Sequence, residues 1–270
     1  MSRYLTLLFL LIIIIAGCKN NSREYALMEK ADSLITKEQE DSALYILSSI
    51  DTAALKHDEE KAYYNLLQTC ARYRRWYPIS STAAIDYSVN YYRKANDKRK
   101  LARALYYKGV VVYELGNTET AITCLKEAEH IENKSGNSDI LNYIYINLAN
   151  INLQTSNYIT ALQYAKSSLN TAEKRKDGNL ICLSLDKISA IFNAKEQHDS
   201  ALHYSLKAIP YVKQLKKEEQ APILSNIAAG YFNQGHLAEA ERYIKQSMAV
   251  EPTPYAYYIL GSIYIEQGKS

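Results

Sequence analysis

The segment LYYKGVVVYELGNTETAITCLKEA, residues 105–128, decides the fold because it holds two helix-length patterns separated by one short turn. Apolar residues recur at helical spacing before Gly116-Asn117, and again after it around Ala121-Ile122. Gly and Asn readily adopt the left-handed conformation that ends a helix. The segment therefore predicts a helix A, a tight turn and a helix B, with the small residues Gly109 and Ala121 allowing the two helices to pack closely.

The same arrangement returns along the chain, marked by an alanine followed by Leu or Ile. These pairs are Ala43-Leu44, Ala84-Ile85, Ala121-Ile122, Ala161-Leu162 and Ala201-Leu202, with Ala240-Glu241 as a variant. Successive alanines lie 41, 37, 40, 40 and 39 residues apart. Turns precede them at Gly116-Asn117, Ser156-Asn157, Glu196-Gln197 and Gly235-His236. A fixed period of this kind predicts stacked helical hairpins, each burying its apolar face against its neighbours.

The composition also predicts an all-α protein. Only nine Gly and five Pro occur in 270 residues, while Tyr is used 25 times and Phe only three times. The formal net charge of +3 falls to +2 if Arg3 is removed with a leader segment. This near-neutral balance gives no reason to expect nucleic acid as a partner.

The residue types at corresponding positions resemble those of the tetratricopeptide repeat. The last unit has Tyr257, Leu260, Gly261, Tyr264 and Gly268 at the positions where that pattern has Trp, Leu, Gly, Tyr and Gly. Two earlier units offer Leu224, Ile227, Ala228, Tyr231, Gly235, Ala240 and Pro252, and Leu105, Gly109, Val112, Gly116, Ala121 and Ala128. The resemblance covers residues 24–270 and is strongest over 102–268. The family's unit is about 34 residues. The longer period here predicts longer helices with polar connectors between helix B and the next helix A, for example over residues 133–139 and 173–179.

The resemblance implies an all-α, right-handed α-α superhelix of about six helical hairpins plus an unpaired terminal helix. We expect two divergent hairpins over residues 24–101, four repeats over 102–253, and helix A of a further repeat over 254–270. In the second unit Pro78 is expected to begin the second helix after a loop. Because a helix A without its helix B leaves an apolar face uncovered, we expect the chain to be part of a longer protein.

The N-terminal segment predicts export and a lipid anchor. Apart from Thr6, residues 5–15 are all apolar, and the segment ends Ile15-Ala16-Gly17-Cys18. This run is shorter than the roughly 20 residues of a membrane span, so residues 1–17 are interpreted as a signal peptide. The ending resembles the lipobox of bacterial lipoproteins, which implies cleavage before Cys18, lipid on Cys18 and a tether over residues 18–23. An ordinary secretory signal or a short uncleaved anchor is the alternative.

The remaining cysteines and Lys19 refine the compartment. Cys70, Cys124 and Cys182 are too few and too far apart to indicate a disulfide framework, and each is predicted to be a small buried residue of a helix. Lys19 follows the lipobox cysteine instead of the Asp associated with inner-membrane retention. We therefore expect an outer-membrane lipoprotein that faces the periplasm.

Catalytic patterns do not emerge from the sequence. Gly268-Lys269-Ser270 mimics the end of a phosphate-binding loop, but Ile263 stands where that motif needs glycine. The five histidines, with His198 and His203 five residues apart, do not form a metal-ligand pattern. We predict no enzymatic activity, no cofactor and no metal site.

In the tetratricopeptide family the helices A line a groove that takes peptides or protein segments. Register places ten candidate groove residues on that face: Tyr106, Val110, Tyr113, Asn147, Asn150, Gln154, Lys187, Asn193, Asn226 and Asn233. Asn can both donate to and accept from an extended peptide backbone, so the series suits sequence-tolerant peptide capture. Asp186 among them argues against recognition of a C-terminal carboxylate. The alternative is that these Asn side chains are merely solvated.

The resulting functional prediction is a lipid-anchored scaffold of the bacterial envelope that binds a protein or peptide segment. The leading alternative is the N-terminal sensory or regulatory module of a longer signalling or transcription-regulating membrane protein. A carbohydrate-uptake lipoprotein is a third possibility, although Trp76 is the sole tryptophan available for stacking on a sugar.

Overall fold

A computed structural model describes residues 23–135 and 140–268. Within these ranges it contains thirteen α-helices, one short 3₁₀ helix at Thr52–Ala54 and no strand, which confirms the all-α prediction. The helices are α1 (Arg23–Thr36), α2 (Glu40–Ser48), α3 (Asp58–Arg74), α4 (Ala83–Ala95), α5 (Lys98–Glu114), α6 (Thr118–Ser135), α7 (Leu141–Gln154), α8 (Tyr158–Arg175), α9 (Gly178–Ala194), α10 (His198–Val212), α11 (Lys217–Asn233), α12 (Leu237–Val250) and α13 (Pro254–Glu266).

The helices pair in sequence order into hairpins. The described residues give six hairpins, α1–α2 through α11–α12, followed by α13, which packs against α11 and α12. Two compact units divide within α6, between Ile131 and Glu132. Unit 1 contains the first three helices A (α1, α3 and α5), and unit 2 contains α7, α9, α11 and α13.

Every described hairpin turn has one residue in the left-handed conformation, the second residue after the end of helix A. These residues are Glu38, Trp76, Gly116, Ser156, Glu196 and Gly235, with φ between 57° and 87°. The next residue's amide donates to the carbonyl five residues earlier, as from Asn117 to Val112 and from Asn157 to Asn152. This is the hydrogen-bond pattern of a Schellman cap. The predicted turn pairs are therefore confirmed as turns, but only their first member is left-handed.

In two of these turns, the second residue caps the helix that follows. The side chains of Asn117 and Asn157 accept from the amides of Thr120 and Thr160 and so cap the N-termini of helices B. Between hairpins, Lys176 takes the left-handed conformation and Asp177 caps α9. Two residues thus suffice to connect α8 to α9. Most of the connector predicted over residues 173–179 therefore lies within the two helices, and the long period of this repeat comes from long helices.

In several hairpins, a contact between residues 26 positions apart links helix A to helix B. Ser88 Oγ donates to the carbonyl of Ala62, and Ser247 Oγ donates to the carbonyl of Ala221. Asn142 Nδ2 donates to Ser168 O at 2.6 Å, and Cys182 Sγ lies 3.6 Å from Ala208 O. All these side chains are buried. Buried polar side chains therefore link helix A to helix B in these hairpins.

Two local predictions have opposite outcomes. Cys70, Cys124 and Cys182 are free and buried in helices, as expected. The expectation that Pro78 begins the second helix of its hairpin is wrong, because α4 begins at Ala83. The Pro78 carbonyl instead accepts from Arg72 Nη2 at 3.0 Å, and Ser81 Oγ accepts from the Ala83 amide. These contacts keep residues 75–82 as a loop.

Candidate functional site

In unit 2, polar side chains connect successive helices A. The first connection joins α7 to α9, where Lys187 Nζ donates to Asn150 Oδ1. Burial lowers the pKa of Lys187, while the neighbouring carboxylate of Asp186 opposes that shift. The Lys187 ammonium group is therefore partly shielded from water and donates to one side-chain amide. A hydrogen-bond acceptor on a ligand could bind it.

The second connection joins α9 to α11. Asn226 Nδ2 donates to Asp186 Oδ1 at 2.9 Å. Burial raises the pKa of Asp186, and both Lys187 and the hydrogen bond from Asn226 oppose the rise. Asp186 and Lys187 are adjacent in sequence, so this part of α9 holds one acidic and one basic group that are both partly desolvated. Such shifts cluster at binding and functional sites more often than on open surfaces.

The third connection runs from α9 through the start of α10 to α11. His198 Nδ1 lies 3.5 Å from Asn193 Oδ1 and 3.5 Å from Asn233 Nδ2. Next to it, Gln234 Nε2 donates to Asp199 Oδ1 at 2.8 Å. Each connection contributes two residues of helices A to a series that we call the polar ladder. Its six members are Asn150, Asp186, Lys187, Asn193, Asn226 and Asn233.

The other two candidate groove residues of unit 2 stand apart from the polar ladder. Asn147 Nδ2 donates at 2.9 Å to the carbonyl of Tyr143, one turn earlier on the same helix. Gln154, at the end of α7, is exposed. The polar ladder therefore runs through Asn150 and not through every polar residue of the predicted face.

In unit 1 the candidate groove residues lie differently. Tyr106 and Val110 are only 5% and 2% exposed, so their side chains belong to the core of the unit. Tyr113, one turn further along α5, is half-buried. The sequence placed these residues on a binding face because it could not reveal how completely the neighbouring helices cover α5.

The sequence did not reveal a partly buried polar centre in unit 1. Arg103 of α5 contacts Asp32 of α1 at 2.6 Å, and Tyr63 of α3 donates to the same carboxylate at 2.6 Å. The three helices A of unit 1 are thus joined at one carboxylate. Desolvation by burial and this carboxylate raise the pKa of Tyr63 well above its usual value. No local pattern marks Asp32 and Arg103, which lie 71 residues apart, so only tertiary contact could identify the pair.

Several other predictions concern residues outside the described ranges, metal binding and membrane spans. Cys18, the signal segment 1–17 and most of the tether lie outside the described residues, as do Lys269 and Ser270. Among the described residues, no group of His, Cys, Asp and Glu side chains is arranged to hold a metal ion. No helix in the described ranges combines the length and apolar character that crossing a membrane requires.

Comparison with known proteins agrees with the helix pairing. Residues 223–250, which include most of α11 and all of α12, match the family model described as tetratricopeptide repeat. The chain has the tetratricopeptide-repeat fold. No curated protein sequence matches it.

Solved tetratricopeptide-type structures superimpose over almost the whole chain. A STAND protein with a tetratricopeptide repeat sensor from Pyrococcus horikoshii is 16% identical, with a TM-score of 0.72; the alignment covers 92% of this chain and 39% of that protein. NprR in complex with its cognate peptide NprX is 16% identical, with a TM-score of 0.68 and coverage of 98% and 81%. A Rap protein complexed with Competence and Sporulation Factor is 17% identical, with a TM-score of 0.65 and coverage of 91% and 72%. At these identities the similarity establishes the fold alone.

Proposed function

We propose that this protein is a lipid-anchored, non-catalytic scaffold of the bacterial cell envelope, and that the polar ladder of unit 2 binds an extended segment of a partner protein. The observation that carries the proposal is the placement of the polar ladder. Its amide, carboxylate and ammonium groups bridge α7, α9 and α11 along one series of helices A. The tetratricopeptide fold is typical of proteins that bind other proteins, which supports a binding role over a catalytic one.

The chemistry of the polar ladder suits a peptide backbone. An extended peptide presents amide donors and carbonyl acceptors in alternation along its length. Asn side chains can serve both, while Lys187 can donate and Asp186 can accept. Because Asp186 and Lys187 are partly desolvated, hydrogen bonds made there compete less with water than those on an open surface. Two of the structural neighbours are described as complexes with a peptide or a named factor, which supports this ligand class.

The binding surface can be tested with peptides selected from a random display library on the wild-type chain. The dissociation constant of a selected peptide is measured by calorimetry for wild type, Asn150→Ala, Asn226→Ala and the control Asn170→Ala, an exposed Asn on α8. We expect a loss of roughly tenfold, about 1.4 kcal/mol, for each ladder variant and no change for the control. Equal affinity for all four chains, with unchanged circular dichroism, would contradict the assignment.

The lipid anchor is supported by the sequence Ile15-Ala16-Gly17-Cys18. Metabolic labelling with radioactive palmitate tests it directly. We expect label on the wild-type chain and none on Cys18→Ala, while Cys70→Ala retains the label because that thiol is buried in α3. Label that persists on Cys18→Ala would refute the anchor. Fractionation of labelled cells would then test the expected place in the outer membrane, facing the periplasm.

A sensory module is the second candidate function. It is favoured by the structural neighbour described as a signal-transduction ATPase with a tetratricopeptide repeat sensor, of which this chain spans 39%. The reading frame downstream of codon 270 separates the two candidates. A continuation that encodes a membrane span and a signalling or DNA-binding domain would favour the sensor, whereas an immediate stop codon would favour the scaffold.

A further inference from the structure

The turn of the second hairpin, between α3 and α4, exposes the only tryptophan of the chain. Trp76 has the left-handed conformation, with φ 57°, and is 77% exposed. The other five described hairpin turns have Gly, Glu or Ser at this position. A bulky residue rarely adopts this conformation, and an exposed indole gains no burial in return. A residue that is locally unfavourable in this way is expected where it serves a function.

A row of aromatic rings leads from Trp76 into unit 1. The ring centroid of Tyr73, on α3, lies 6.3 Å from that of Trp76. The ring of Tyr107, on α5, lies 6.0 Å from that of Tyr73 and meets it edge-on. Tyr107 is buried and Tyr73 is half-buried, so packing fixes the inner two rings. Trp76 is the exposed end of the row, and the face of an indole is the aromatic surface that binds a cation best.

A carboxylate without a cationic partner lies beside this row. Glu114 is seven residues after Tyr107, so both side chains lie on the same face of α5. Burial raises the pKa of Glu114, and the charge of Glu114 contributes to a raised pKa of Tyr73, so the carboxylate lies near the Tyr73 hydroxyl. Within the described part of the chain, no residue forms a hydrogen bond or ion pair with Glu114. A partly desolvated carboxylate of this kind is stabilised by a cation that arrives with a ligand.

The three arginines next to Trp76 do not supply that cation, because each has another partner. The partners are the Pro78 carbonyl for Arg72, Glu38 and Glu40 for Arg74, and Asp41 for Arg75. Burial is the cause of the raised pKa of Glu114, and no neighbouring cation opposes it. The negative charge beside the exposed indole is therefore uncompensated.

We propose that Trp76, Tyr73 and Glu114 form a binding site for an arginine side chain of a partner protein. The planar guanidinium group stacks on the exposed indole, and its N–H groups donate to the Glu114 carboxylate. Charge complementarity selects this occupant, because a neutral group leaves Glu114 uncompensated and an anionic lipid surface is repelled by it. The site lies in unit 1, so it does not depend on the polar ladder of unit 2.

The fluorescence of Trp76 tests the site directly, because no other indole contributes to the emission. A blocked pentapeptide with a central arginine between glycines is titrated into wild type, Glu114→Gln and the control Glu173→Gln, an exposed Glu on α8. We expect a saturable change in emission for wild type and the control, with a dissociation constant on the order of 1 mM. Glu114→Gln should bind roughly fivefold more weakly.

The same peptide with citrulline in place of arginine keeps the shape of the side chain without its charge, and it should leave the emission unchanged. Equal titrations for the arginine and citrulline peptides, or for wild type and Glu114→Gln, overturn the proposal. Emission that responds to a neutral oligosaccharide or to anionic lipid vesicles, but not to the arginine peptide, assigns the surface to another ligand and also overturns it.

Removal of the indole tests the aromatic half of the site. Trp76→Gly suits the left-handed turn, and an unchanged circular dichroism spectrum verifies that the fold is kept. Saturation-transfer NMR from the protein to the side-chain protons of the arginine peptide measures binding without the tryptophan signal. We expect transfer from wild type and a strongly reduced signal from Trp76→Gly. Transfer of equal strength from both chains would show that the indole does not bind the guanidinium group, and the proposal would fail.

Discussion

Gly109 of α5 lies directly against Leu125 of α6. A Cβ built on Gly109 would be 2.8 Å from Leu125 Cγ and 3.3 Å from the carbonyl oxygen of Ala121. Leu125 is fully buried, so its branched carbon has little room to move. The closeness of the two helices therefore depends on the missing side chain. At the corresponding position of the α9–α10 hairpin, Ser189 Oγ donates to the carbonyl of Ala201 at 2.9 Å.

Gly109→Ala is expected to destabilise the protein. Overpacking against Leu125 costs about 1 to 3 kcal/mol, of which the better helix propensity of Ala recovers about 1 kcal/mol. Gly261→Ala gains the same propensity and meets no atom, so it should be neutral or stabilising. Urea unfolding of the three chains checks this. A midpoint for Gly109→Ala equal to that of Gly261→Ala would show that α5 and α6 can separate at no cost.

The buried Ser189–Ser205 pair is expected to be coupled. Their hydroxyls lie 2.7 Å apart, and Ser189 also donates to Ala201 O, so Ser205 must supply the proton between the two hydroxyls. Ser189→Ala leaves Ser205 without its acceptor and should cost about 1 to 2 kcal/mol. The double variant with Ser205→Ala should cost less than the sum of the two single variants. A double-mutant cycle by urea unfolding measures this, and strict additivity would mean the hydroxyls do not interact.

The left-handed turn residues are expected to respond in opposite directions to exchange with glycine. Gly116 has φ 87° and open space around it, so Gly116→Ala should cost about 1 kcal/mol from backbone strain alone. Glu196 has φ 59° in the equivalent turn. Glu196→Gly should relieve similar backbone strain, and this gain is reduced by the conformational entropy that glycine adds to the unfolded chain. Thermal unfolding compares both with wild type. A lower midpoint for Glu196→Gly would mean that its side chain stabilises the turn.

Alkaline pH is expected to weaken unit 2 through Cys182. Burial, aided by Asp186 and Glu219, raises the pKa of this thiol from 9.0 to about 12. Because the pKa of the Cys182 thiol is higher in the folded chain than in the unfolded chain, its contribution to stability is complete below pH 9. It is lost as the pH rises from 9 towards 12. The wild-type free energy of unfolding should therefore fall with pH more steeply than that of Cys182→Ala, by up to about 1.4 kcal/mol per pH unit. Urea unfolding at pH 8, 9 and 10 gives the two slopes; parallel slopes would contradict the shift.

The sequence alone determined the local structure of this protein. The approximately 40-residue period, the helix pairs and the positions of the turns follow from short-range chemistry, because helix periodicity, capping and left-handed turns depend on residues within about five positions of each other. That is why Gly116-Asn117 and Glu196-Gln197 could be assigned as turns with no knowledge of their neighbours. The start of the second helix was misplaced at Pro78. The Pro78 carbonyl accepts a hydrogen bond from the side chain of Arg72, which lies six residues earlier, beyond the range of the local patterns.

Only the tertiary structure decided how the polar and aromatic side chains are used. Register put Asn147 and Asn150 on one face, yet Asn147 binds its own helix while Asn150 bridges to Lys187. The pairing of Asp32 with Arg103 could not be predicted because it joins helices 71 residues apart. Such contacts depend on the angle and spacing at which successive hairpins pack, and these arise from the sum of many small packing interactions. A repeat pattern therefore identifies the faces of the helices, and the packing of each unit determines which residues on a face remain available for a ligand.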